Sequence, residues 1–114
     1  MREVGALAAA ALLMCPALAE SEDEIMSTRY GNTVIVRETF GTSRVWYDPD
    51  HTFTATNWLM SVHGRWEIKD DRMCMSYDKT PPLRSNPECG AVEPRKVGET
   101  WKQDGRSFEI KEGR

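Results

Sequence analysis

The chain is poor in the side chains from which catalytic and metal sites are assembled. Its 114 residues hold two histidines, His51 and His63, and three cysteines, with no H-x-x-x-H pair and no C-x-x-C. Zinc sites need such ligands at close spacing, and nucleophilic catalysis needs an oriented base beside the nucleophile. His51 falls in a turn and His63 on the outward side of a strand, so neither joins a Ser-His-Asp arrangement. No enzyme activity, metal or cofactor is expected. Charge of one sign is also lacking: 15 Lys and Arg stand against 18 Asp and Glu, a net of −3. That balance argues against nucleic acid or an anionic membrane surface as the main partner. Beyond residue 19 there is no helical periodicity longer than a turn, which points to an all-β chain.

Residues 1–19 read as a secretory signal peptide. Arg2 precedes an apolar run from Val4 to Met14, Pro16 breaks the helix, and Ala17-Leu18-Ala19 offers small residues for cleavage after Ala19. The run is shorter than the about 20 residues a membrane span requires, so no span is expected after cleavage. Without residues 1–19 the chain keeps 14 basic and 17 acidic side chains and two cysteines, Cys74 and Cys89. In an oxidising compartment those two are expected to form one disulfide. The acidic run Glu20–Glu24 opens a stretch, residues 20–32, expected to be a disordered leader. A single β domain is expected over residues 33–114.

That domain is organised around Met60–Tyr77. Met60, Val62, Gly64, Trp66 and Ile68 alternate with Ser61, His63, Arg65 and Glu67. Such a period of two puts one face in a core and the other in water. After Asp70-Asp71 the alternation resumes as Met73, Met75 and Tyr77. A tight even-length turn pairs Ile68 with Met73, Trp66 with Met75 and Gly64 with Tyr77, so register and pattern agree. Further strands are expected over Thr33–Thr39, Ser43–Tyr47, Thr52–Thr56, Lys96–Gln103 and Arg106–Lys111. A Pro49-Asp50 loop would set Trp46 opposite Phe53, and the Asp104-Gly105 turn sets Trp101 opposite Phe108. Asp78–Glu88, with Pro81, Pro82 and Pro87, is expected to be a loop that the disulfide pins to the outer face. About seven or eight short strands joined by tight turns predict an antiparallel up-and-down meander or small barrel, with a two-sheet sandwich as the alternative.

The segments Gly31–Val34, Tyr47-Asp-Pro-Asp-His-Thr-Phe53, Gly64-Arg-Trp-Glu-Ile68, Met73-Cys74, Cys89 and Lys96–Trp101 carry a resemblance. The chain resembles uncharacterised small secreted bacterial proteins described as lipocalin-like or calycin-like. More loosely, it is similar to bacterial periplasmic inhibitors of metalloproteases, which share a small barrel, a G-x-W strand and one disulfide. His51 stands where a turn glycine is commoner in such proteins. The resemblance implies a fold and a periplasmic or secreted location, and carries over no catalytic residue.

Two functions of different class follow. The first is a non-catalytic binding module, inhibitor-like or associated with the bacterial envelope, that engages an envelope protein through its loops. Trp58, in a loop with Asn57, and the prolines Pro81 and Pro82 are the expected interface, since exposed tryptophan is enriched in binding hot spots. The second is a carrier of a small apolar ligand in the barrel interior, with Trp46, Phe53, Trp66, Met75, Trp101 and Phe108 as the expected cavity lining.

Overall fold

The computed structural model describes residues 20–114, and the signal-peptide reading of residues 1–19 lies outside them. In chain order the elements are α1 (Glu22–Met26), β1 (Thr33–Glu38), β2 (Gly41–Tyr47), β3 (Thr52–Thr56), β4 (Ser61–Lys69), β5 (Arg72–Tyr77), β6 (Glu88–Ala91), β7 (Thr100–Gln103) and β8 (Arg106–Lys111). The eight strands form one antiparallel sheet in the order β6-β5-β4-β3-β2-β1-β8-β7. That is the cyclic order of an up-and-down barrel whose ladder is interrupted between β6 and β7. Side chains span the interruption: Gln103 Nε2 donates to the Ala91 carbonyl at 2.8 Å, and Arg106 pairs with Glu88 at 2.8 Å. The result is a curled, half-barrel sheet of the expected all-β class with one disulfide.

The central hairpin has the expected register, with Ile68 opposite Met73, Trp66 opposite Met75 and Gly64 opposite Tyr77. Asp70 and Asp71 both take positive φ, as a two-residue turn matched to strand twist demands. Trp101 likewise faces Phe108 across the Asp104-Gly105 turn. Cys74 and Cys89 are bonded and sit opposite one another in adjacent strands. Strand β6, which carries Cys89, is an addition to the strands expected from the sequence pattern. Strand β7 starts at Thr100 because Lys96–Glu99 is folded into a turn, with Gly98 at φ +92°.

The β2–β3 register differs from expectation by one residue. Phe53 faces Tyr47, and Trp46 faces Thr54. The loop has three residues, Pro49-Asp50-His51, closed by His51 in the left-handed region at φ +70°. A third loop residue shifts the pairing by one and turns every β2 side chain to the other face. Tyr47 therefore enters the core and Trp46 leaves it.

Connections alternate between the two ends of the curl. The β1–β2, β3–β4, β5–β6 and β7–β8 loops gather at one end. The β2–β3, β4–β5 and β6–β7 connections gather with α1 at the other. Residues 20–32 are not a disordered leader, because α1 plugs this second end. Ser21 caps it through a reciprocal box with Glu24, and Ile25 and Met26 are fully buried. The capped first turn holds three acidic residues, which favours a helix N-terminus. Glu22 Oε2 accepts from His51 Nε2 at 2.7 Å, and the His51 ring stacks 4.2 Å from Trp66. Phe53, Trp66, Val45, Tyr47 and Ile110 complete a solid core against the helix.

Candidate functional site at the open end

Above that core the sheet encloses a cavity of about 180 Å³. Its walls are mainly apolar and include Val36, Val45, Val62, Met75, Trp101 and Phe108. Each is an inward position of its strand, so the wall follows directly from the period of two. Around the mouth, three loops expose large apolar side chains. Phe40 is 80% exposed, Trp58 80%, Leu59 65% and Leu83 89%. Such residues are normally scattered singly, whereas here four gather at one end.

Four charged side chains brace the mouth. Glu38, Glu88 and Arg106 continue the inward registers of β1, β6 and β8, and Arg84 reaches in from the β5–β6 loop. Arg84 pairs with Glu38 and, at 3.2 Å, with Glu88; Arg106 pairs with Glu38 and Glu88, each at 2.8 Å. The Tyr77 hydroxyl adds a 2.6 Å bond to Glu88. Burial pushes the Glu88 carboxyl up, but the Tyr77, Arg84 and Arg106 contacts outweigh it and hold the pKa below the usual value. Burial and the Glu88 contact raise the Tyr77 pKa. The quartet is electroneutral and satisfies itself, so it frames the opening rather than inviting an ion.

A second polar group lies at the floor. Arg29, between α1 and β1, is 5% exposed and borders the cavity together with Arg95. Both guanidinium groups lie against Trp101, with centroid distances of 5.7 Å for Arg29 and 4.6 Å for Arg95. Arg95 pairs with Glu93 and Glu99, each at 2.8 Å.

The residues expected at a site divide as follows. Met75, Trp101 and Phe108 border the cavity, and so does Pro81. Phe53 and Trp66 face inward but fill the closed end beneath it, so they are not lining residues. Trp46 is a correction of a different kind. It lies on the outer face, where its Nε1 donates to Thr33 Oγ1 at 2.9 Å, because the three-residue loop inverted its strand. Trp58 is exposed at the rim, beside Gly41, and Pro82 is exposed as well. The proline-rich segment is not pinned to the outer face: Arg84 crosses the mouth to Glu38, which draws the loop inward. His63 is exposed, 3.2 Å from Thr54 Oγ1, and His51 supports the helix plug. Among the described residues no cluster of His, Cys, Asp or Glu has metal-binding geometry.

Sequence reasoning missed the mouth quartet and the arginine floor. The quartet left a signal, since Val34-x-Val36-x-Glu38 and Arg106-x-Phe108-x-Ile110 continue an inward register with a charge. Arg29 left none, lying in a segment without periodicity. Comparison with protein-family models, curated proteins and solved structures finds no match to this chain.

Proposed function

We propose that this is a secreted or periplasmic, non-catalytic protein that carries a small apolar ligand inside its curled sheet, admitted through the open end. The observation that carries the reading is an apolar cavity opening directly among exposed apolar loops. Small-molecule sites have this character, concave and largely apolar with a few placed polar groups. An apolar cavity of about 150 Å³ accepts a benzene-sized guest. At about 180 Å³ the interior suits one ring or a short chain, with any longer part lying on the Phe40–Trp58–Leu83 rim. The compartment rests on the residue 1–19 pattern together with the Cys74–Cys89 bond.

Calorimetric titration with octan-1-ol tests this. Saturable one-to-one binding is expected, and Ala55→Leu, which adds bulk to the cavity wall, should weaken it while the protein stays folded. Absence of binding, or binding indifferent to Ala55→Leu, would count against an interior site.

The exposure of Trp58 favours a second reading, in which the rim docks an envelope protein. Trp58→Ala should change folding stability by no more than about 0.5 kcal/mol, as for other exposed positions. Capture of one protein from envelope extract that is lost in Trp58→Ala, with no octanol binding, would select this second reading over the first.

A further inference from the structure

We infer that the cavity takes an organic anion, an apolar body bearing one carboxylate, bound head first with the carboxylate on Arg29 and Tyr47 at the floor. This rests on the carrier reading above and adds the chemical class of its ligand.

Arg29 is buried with little of its hydrogen-bonding capacity used. Nη1 donates to the Ile25 carbonyl at 2.5 Å and Nη2 to the Glu93 carbonyl at 3.2 Å. A guanidinium has five N–H donors, so most of its capacity remains after those bonds. Among the described residues no carboxylate lies within ion-pair distance of Arg29, and the two nearby ones, Glu93 and Glu99, are engaged by Arg95. A buried cation with no anion in direct contact is costly, and burial lowers the Arg29 pKa with Arg95 adding to it, outweighing Tyr47, Glu99 and Glu93, which act to raise it. Placing a second guanidinium against the same Trp101 ring adds like-charge repulsion. The Arg95 Nε, also buried, has no acceptor at all.

Tyr47 supplies a convergent donor. Its hydroxyl faces only the Met75 sulfur, at 3.7 Å, a weak acceptor. Burial pushes its pKa up to about 12, so the proton stays on at neutral pH. Arg29, Tyr47 and Arg95 all border the cavity. Donor capacity left unmet on Arg29, on the Tyr47 hydroxyl and on the Arg95 Nε therefore borders one largely apolar space. A carboxylate supplies acceptors for the guanidinium fork and the hydroxyl together. The walls above are apolar, which places the hydrocarbon toward the mouth.

The test compares octanoate, octan-1-ol and octylamine by calorimetry on the same protein at neutral pH. Octanoate should bind more tightly than octan-1-ol by about tenfold or more, the scale of one charge-assisted hydrogen bond, and octylamine should bind worst. Arg29→Gln should bring the octanoate-to-octanol ratio near one while changing octanol affinity by no more than about twofold. A merely structural arginine would weaken both ligands together, and that result would overturn the assignment. Tyr47→Phe keeps the core shape and should lower the ratio severalfold even if Arg29→Gln fails to fold. Equal affinity of octanoate and octanol for the unmodified protein refutes the anion site and leaves the carrier reading standing. Binding of neither ligand removes both.

Discussion

Gly64 offers a sharp test of the packing, because the sheet leaves no room for a single methyl group there. A Cβ at this position would lie 2.1 Å from the Ser76 carbonyl oxygen and 2.9 Å from two carbons of the Phe53 ring. Real Cβ atoms essentially never approach closer than 3.0 Å, so the obstacle at Ser76 has to move by about 0.9 Å. That obstacle is main chain of the partner strand β5, held on one side by the Arg65–Ser76 and Trp66–Met75 pairs and on the other by the Asp78 N–H bond to the His63 carbonyl at 2.9 Å. Phe53 cannot simply swing aside either, since its ring makes an edge contact with Tyr77 at 5.6 Å and is 1% exposed. Overpacking costs about 1–3 kcal/mol, and a main-chain clash belongs at the upper end. Alanine's advantage over glycine in a strand is about 0.5–1 kcal/mol, too small to reverse the sign. Gly64→Ala should therefore destabilise by about 2–3 kcal/mol, or about 10–20 °C in Tm for a domain of this size. Thermal unfolding followed by far-UV circular dichroism reads this directly. Adding Phe53→Leu should not restore the loss, because it removes the ring and leaves the carbonyl. A Tm equal to or above that of the unmodified protein would refute the close approach of β4 and β5.

Other outcomes follow from the same geometry. Trp66 is fully buried and its Nε1 donates to the Asp48 and Thr52 carbonyls at 3.2 and 3.1 Å, each of which also accepts a backbone N–H, so Trp66→Phe should cost about 1–3 kcal/mol in urea unfolding through the space left by the smaller ring and the lost indole bonds. Reduction of Cys74–Cys89 should lower stability by about 2–4 kcal/mol, with amide exchange rising first in the edge strand β6; thiol labelling of the unreduced, unfolded protein should find no free sulfur. Glu88 has a folded pKa below its unfolded value, so its contribution is present above the unfolded value and fades as pH falls through the folded one. Stability should decline below about pH 4.5, and Glu88→Gln should flatten that decline in acid titrations followed by fluorescence.

How much was legible varied with how local the controlling physics is. The registers of the β4–β5 and β7–β8 hairpins were readable to the residue because two-residue turns leave alternation no freedom, whereas the start of β7 was not, since the Lys96–Glu99 turn breaks the strand. Asp48-Pro49-Asp50-His51 was not, since proline and aspartate favour a turn without fixing its length, and the deciding feature is the positive φ of His51. The oddity of histidine where glycine is commoner was visible; its consequence, the inversion of Trp46, was not. Strand β6 lacks β-branched residues and follows Pro87, so only the disulfide hinted at its pairing. Helix α1 was hidden by its acidity, although Ser21-x-x-Glu24 before Ile25-Met26 is a capping signature. The arginine floor depends on packing between α1 and the β6–β7 connection, which no local pattern encodes.

The parity of the strand count also fixes a polarity for the whole molecule. Eight strands bring the chain back to the side on which α1 entered, and Arg114 there reaches Asp48 in the β2–β3 turn at 3.1 Å, while Gly113 bonds to Asn32 at 2.9 Å. Both ends of the described chain thus leave through the plugged base. Fused or immobilised by either end, the protein presents its mouth and aromatic rim outward, like a cup standing on its foot. An affinity surface prepared that way keeps the whole opening free, and a tag intended to obstruct it has to be inserted into one of the four rim loops instead.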